Sequence, residues 1–467
     1  MTETISRGTG FVLVFIYARL LDDSDIGIRT LVYGASSFIT LFYTLGLDNA
    51  FLRYFMDKEY ERDKDAILST AFLFTILTGL AFFICALFFS TQFSIIMARN
   101  PSNGYIVRLI FAVLIFDTAV LYPTLILRAE KKLMYYSFVG LSRFVLYISL
   151  NLLLVWYLDR GLSGIFEANL IAVIVVALLL SPVLKTYLTG RISLRLLKRM
   201  LLFGIPTIFT LFFMRIIDIS DRYFIEYFMD DAAVGRYAVA YTLGMVGIMV
   251  FVNSFRTAWQ PFFMSLKDNP DLGSLFSKVA TYYAVFIGMV FLGMTLFREE
   301  IFHIYAPAHP ASLARIIPYV ALAYILYGFY IIMLAGVFIR EKTKYLPIAP
   351  VIGALLNVGF NFIFIPRYGI LGAALTTVIA YCAMVAVLFV IAHRVYRVQY
   401  EYSRLGAVLL VTSLTIAVSC FFSPDSPVEK VLLNSTLMLA PPLVYWFSGF
   451  LQPVEIMRLK NLMQGKL

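Results

Sequence analysis

The chain has 467 residues, 61% of them hydrophobic and 14% charged, with a formal net charge of +10. Its mean hydropathy is +0.86. A water-soluble globule of this length cannot give so much apolar surface polar cover, so soluble enzymes and soluble binding domains are excluded.

Apolar runs of roughly 17–25 residues recur along the whole sequence, the length that crosses about 30 Å of hydrocarbon as helix. Strands of a membrane barrel would instead show alternating segments of about ten residues. The chain therefore reads as an all-α polytopic membrane protein. In chain order, fourteen spans are predicted, roughly at residues 5–21, 30–52, 66–89, 105–127, 135–157, 164–187, 203–229, 235–262, 276–297, 315–339, 345–365, 370–392, 404–422 and 431–451. The first apolar segment, GTGFVLVFIYARLL, is short for a span, and the true start is expected upstream. No cleavable signal pattern opens the chain.

Lys and Arg sort by alternate connections. Exits of even-numbered spans carry clusters such as Arg53, Lys58, Arg62 and Lys64, then Lys185, Arg191, Arg195, Lys198 and Arg199, then Arg340, Lys342 and Lys344. Exits of odd-numbered spans carry scattered residues such as Arg29, Arg99, Arg160 and Arg236. Positive charge marks the cytoplasmic side, which predicts a cytoplasmic (inner) membrane protein with both termini inside. The basic excess is thus a topology signal, with attraction to anionic membrane lipid as a secondary effect and no nucleic-acid partner. The most basic connector, KTYLTGRISLRLLKRM, has the spacing of an amphipathic helix lying on the cytoplasmic surface.

Cys85, Cys382 and Cys420 fall within apolar runs and are expected as small buried hydrophobes, with neither disulfide nor metal. His303, His309 and His393 lack ligand spacing, so no metal and no cofactor are predicted. The acidic clusters Asp22-Asp23-Ser24-Asp25 and Asp230-Asp231 are read as helix caps rather than a glycosyltransferase DxD motif.

An internal repeat relates the two halves. LDDSDIGIRTLVY resembles MDDAAVGRYAVAY, with Gly27 matching Gly235 and Tyr33 matching Tyr241. RGLSG resembles RYGILG, with Gly161 matching Gly369 at the same offset of 369 − 161 = 208 residues. The repeat unit is six helices, so the halves keep one orientation in the membrane, an arrangement of transporters with the substrate path between the copies. The predicted domains are an N-terminal six-helix lobe (1–188), a cytoplasmic amphipathic linker (189–202), a second lobe (203–393), and extra helices 13 and 14 with a cytoplasmic tail (394–467).

Residues 197–264 carry a resemblance. Phe203-Gly204-Ile205-Pro206, Asp221-Arg222, Val234-Gly235-Arg236-Tyr237 and Ala258-Trp259-Gln260-Pro261 follow in the order seen in the polysaccharide biosynthesis/export (O-antigen-type, Wzx-like) flippases of the MOP superfamily. LLDDSDIGIRT and NFIFIPRYGILGAALTT are also similar to that family. The resemblance implies a MATE-like fold of two parallel six-helix lobes plus two C-terminal helices. It further implies translocation, without catalysis, of undecaprenyl-diphosphate-linked oligosaccharide from the cytoplasmic to the outer leaflet. Partners would be the lipid-linked oligosaccharide, a possible coupling cation (H⁺ or Na⁺), and possibly other polysaccharide-assembly proteins. A MATE-type cation-coupled exporter and a peptidoglycan-precursor flippase are the alternatives within transport, and a membrane polymerase or ligase the alternative outside it.

RIIDISDRYF, residues 215–224, concentrates charge in the seventh span. Arg215, Asp218, Asp221, Arg222 and Glu226 share a helical arc of about 140°. Spacing allows pairs Arg215–Asp218, Asp218–Arg222 and Arg222–Glu226 within the helix. Such a stripe is either self-neutralising glue or a polar wall facing the gap between the lobes, where guanidinium groups meet phosphate in bidentate geometry. A polar path is required, since an unpartnered hydroxyl in hydrocarbon costs about 4–8 kcal/mol. Arg215, Asp218, Asp221, Arg222, Arg256, Arg19, Arg53 and Arg143 are the candidate cavity residues. Asp117, Asp218 and Glu226 are the candidate coupling groups, with an Asp117 pair to Arg143 or Arg108 as the structural alternative.

Overall fold

A computed structural model describes residues 12–266, 271–422, 424 and 426–450. The start of the first predicted span (5–11), Lys267 and the predicted cytoplasmic tail beyond 450 lie outside them. Helix α1 covers residues 12–20. It is followed by α2 (Asp23–Thr44), α3 (Leu47–Met56), α4 (Lys64–Phe88), α5 (Ser90–Ala98), α6 (Gly104–Ala129), α7 (Leu133–Asn151) and α8 (Gly161–Tyr187). The next are α9 (Leu194–Phe228), α10 (Asp231–Ser265), α11 (Leu272–Leu296), α12 (Arg298–Tyr305) and α13 (Ile317–Ile339). The last are α14 (Ile348–Tyr368), α15 (Ile370–Val395), α16 (Tyr402–Phe421) and α17 (Pro427–Phe447). Among the described residues there is no strand.

Twelve helices among the described residues are long and apolar enough to cross a membrane, and they match predicted spans two to thirteen in order. The fourteenth corresponds to α17, 21 residues long. The chain is an integral membrane protein. One boundary differs usefully. The second span was expected from residue 30, but α2 begins at Asp23, with Asp23 and Asp25 in its first turn. Acidic residues there complement the helix dipole, so charge opens the helix instead of lying in a loop. Arg29, read as a loop residue, is thereby inside α2. The chain then breaks at Leu45 (φ 47°) and Gly46 (φ 70°), giving α3 a separate axis.

The chain forms two compact units. The first holds residues 1–242, 305–310 and 346–384. One core cluster joins Leu47, Phe51 and Phe55 of α3 to Ile67 of α4, Tyr122 and Ile126 of α6, and Met200 of α9. Ser193 caps α9 by accepting from the Leu196 N–H at 3.3 Å, and residues 194–202 run on without a break into the charged stretch. Helix α2 packs along α9. Phe38 meets Phe212 edge-on at 5.7 Å, and Tyr223 Oη donates to the Leu31 carbonyl at 2.7 Å. A Cβ on Gly46 would fall 2.5 Å from the Gly204 carbonyl oxygen, so the two backbones touch there.

The second unit holds residues 243–304, 311–345 and 385–467. Trp259 of α10 stacks on Phe255 at 5.5 Å and meets Phe276 of α11 at 5.3 Å. Helix α17 is tied in by Asn434 Nδ2, which donates to the Leu296 carbonyl at 2.8 Å, and by Lys430, 2.7 Å from Glu299.

The three cysteines are free and exposed, against the expectation of burial. Each sits on a helix among the membrane-crossing set.

Candidate functional site

The charged half of α9 divides. Asp221 has no exposed surface. A buried carboxylate persists only when its lone pairs are met, and here they are. Arg222 Nη1 lies 2.8 Å away, the Arg222 backbone N–H donates at 2.9 Å, and Tyr237 Oη of α10 donates at 2.5 Å. The Arg222 guanidinium also donates to the Asp218 carbonyl and lies 4.2 Å from the ring centre of Tyr241. Asp218 accepts from Tyr381 Oη of α15 at 2.6 Å. Ser220 donates to Asn357 of α14 at 2.6 Å. These groups therefore bind α9 to helices of the second repeat.

The sequence left the stripe as helix glue or as a polar wall toward the gap between the repeats. On the side of α9 that meets α2 stand Phe212, Ile219 and Tyr223. The reason is energetic: carboxylates this deep need phenol donors, and the tyrosines stand on α10 and α15. The spacing also allowed an Arg222–Glu226 pair. Glu226 Oε2 lies 3.5 Å from Arg99 Nε, at the end of α5. Arg215 is the exception. It is exposed, and no ion pair or hydrogen bond joins it to another described residue.

Arg53, on α3, is exposed and stacks 4.4 Å from the ring centre of Phe203 at the head of α9. Arg19 lies over Phe15 at 3.9 Å. Arg143 and Asp117 form a half-exposed pair at 2.9 Å that joins α7 to α6, the structural alternative foreseen for Asp117. Arg256 belongs to the second unit, half-buried on α10 one turn after Asn253. Asn253 is 3% exposed and its amide is unpartnered among the described residues.

The repeat-matched helix starts carry a second cluster. Asp23 meets Arg236 at 3.3 Å and His309 at 2.9 Å. Asp230 caps α10, accepting from the Ala233 N–H at 2.6 Å, whereas Asp22 makes no side-chain cap on α2. Among the described residues no group of three His, Cys, Asp or Glu side chains is set to hold a metal.

Sequence reasoning missed Arg29 and the tyrosines around it. Its signal was available: a single Arg one turn past an acidic helix start, in register with Tyr33.

The family model described as polysaccharide biosynthesis protein matches residues 1–267. No curated protein sequence matches the chain. Among solved structures, the lipid II flippase MurJ in an inward closed conformation is similar, with a TM-score of 0.72 at 16% identity over 93% of this chain and 98% of that one. An inward-facing multidrug resistance MATE family transporter of the MOP superfamily gives 0.66 at 15% identity over 87% and 95%. A MOP superfamily transporter from Pyrococcus furiosus, titled for the reverse polarity of its binding pocket, gives 0.55 at 17% over 87% and 96%. At these identities the structures speak for the fold alone, and the family match covers more than half of the sequence. The chain belongs to the polysaccharide biosynthesis protein family and has the fold of the MOP superfamily.

Proposed function

We propose that this protein is a flippase, not an enzyme, that carries polyprenyl-diphosphate-linked oligosaccharide from the cytoplasmic to the outer leaflet of the inner membrane. Alternating access would operate between the repeated lobes, residues 1–188 and 203–393, with both termini cytoplasmic. The observation that carries this reading is the division of charge on α9. Its carboxylates Asp218, Asp221 and Glu226 are engaged by tyrosine or arginine, while Arg215 stays exposed without a partner among the described residues. The same holds for Arg53, which has only ring neighbours. Exposed guanidinium groups and engaged carboxylates favour an anionic cargo such as a diphosphate over a cationic drug.

The fold likeness to MATE transporters supports a cation-coupled exporter as a second reading. Asp117 and Glu226 would then be the coupling groups. Deletion of the gene separates the two readings. Lipid-linked glycan stranded on the cytoplasmic leaflet, restored by the wild-type chain, is the expected result. Unchanged glycan display together with drug sensitivity would transfer the assignment to the exporter.

A further inference from the structure

Inside the first unit, Arg29 of α2 stands among tyrosines. Its guanidinium carbon is 4.8 Å from the ring centre of Tyr17 and 5.1 Å from that of Tyr33. Tyr33 Oη lies 3.1 Å from Tyr147 Oη, and Asn169 Nδ2 donates to Tyr33 Oη at 3.1 Å. Tyr17 Oη donates to Asn151 Oδ1 at 2.5 Å. Helices α1 and α2 thus flank the guanidinium, and α7 and α8 reach it through Tyr33. No carboxylate forms an ion pair with Arg29 among the described residues, and its Nε–H is buried without a hydrogen-bond partner.

Phenols and amides are neutral at pH 7, so the pocket holds one positive charge and no described counter-charge. Arg222, Arg99, Arg143 and Arg236 each pair with a carboxylate, and Arg215, Arg53 and Arg19 are exposed. A cation inside a membrane-crossing helix is stable when an anion or water reaches it. Arg29, Tyr33, Tyr147 and Asn169 are each half-buried. Two tyrosine rings flank the guanidinium, whose planar fork selects an oxyanion over a halide.

We propose that Arg29, with Tyr17, Tyr33, Tyr147 and Asn169, forms an oxyanion-binding site within the first lobe, separate from the charged half of α9. Its ligand is a phosphate-type group, supplied either by the headgroup of the lipid-linked cargo or by a free anion. The first source rests on the flippase reading; the second does not.

The full-length protein in lipid nanodiscs is titrated with inorganic pyrophosphate and, separately, with farnesyl diphosphate. Arg29→Gln is expected to weaken binding at least about tenfold, the effect of losing a charge-assisted bond, while Arg29→Lys loses less. Parallel losses for both probes assign the ligand to a lipid headgroup; loss for pyrophosphate alone assigns it to a free anion. Unchanged affinity of a folded Arg29→Gln protein for both probes overturns the site. Should that variant fail to fold, the pair Tyr33→Phe and Asn169→Ala replaces it with the same two outcomes. Binding through Arg29 in a protein whose deletion leaves glycan display normal would keep the site and remove the flippase reading.

Discussion

Gly27 and Gly235, matched by the internal repeat, press into each other's helix starts. A Cβ on Gly27 would lie 1.9 Å from the carbonyl oxygen of Asp231, and one on Gly235 would lie 1.8 Å from that of Asp23. The contact is reciprocal, each glycine meeting the helix start that carries the other. Backbone cannot swing aside as a side chain does, so only glycine fits at either position. Gly27→Ala and Gly235→Ala are each expected to push α2 and α10 apart and to cost about 1–3 kcal/mol, read as a fall in melting temperature. Transport should fall more than stability, because the proposed cycle moves the repeated lobes against each other. Wild-type transport in both variants would show that the crossing plays no part in it.

Arg215 and Arg222 are expected to part company on mutation. Arg222→Ala strands the buried Asp221 carboxylate and should cost about 3–5 kcal/mol, seen as loss of folded protein in detergent. Arg215→Ala removes an exposed group and should leave melting unchanged while transport drops about ten- to a hundredfold. Comparable melting losses in both would make Arg215 structural.

Tyr237→Phe keeps the ring packing but deletes the hydroxyl that donates to Asp221 at 2.5 Å. About 1–3 kcal/mol of stability should be lost. Adding Asp221→Asn should relieve part of that loss, since the neutral amide needs less solvation. A double-mutant cycle in chemical denaturation measures the coupling.

Glu299, outside the membrane-crossing helices, has its carboxyl held below the usual range by the hydrogen bond from Lys430. A depressed folded-state value adds stability above the unfolded carboxyl range near about 4.3 and loses it as pH falls through the folded value. Glu299→Gln should therefore lower stability at pH 7 by under about 1 kcal/mol, the pair being partly exposed, and should differ less from wild type as the pH drops below about 4. A gap that widens in acid would contradict the pairing.

Hydropathy and charge are local properties, so the spans, the odd-even sorting of basic residues and the charged stretch of α9 were all legible in the primary structure. The repeat was legible too, because Gly27 and Gly235 sit in like-patterned segments. The tertiary structure alone decided what these residues do. Whether Asp221 is buried depends on Tyr237 sixteen residues on, and whether Asp218 is satisfied depends on Tyr381 of a distant helix. Angular position on a wheel places five charges on one arc but says nothing of the neighbour each one meets. Arg29 makes the point most plainly. Counting assigned it to a loop; the acidic start of α2 put it inside a helix, between Tyr33 one turn on and Tyr17 of α1. Secondary structure follows from short-range pattern, whereas the state of an ionisable group in a membrane is set by partners the chain brings from far away.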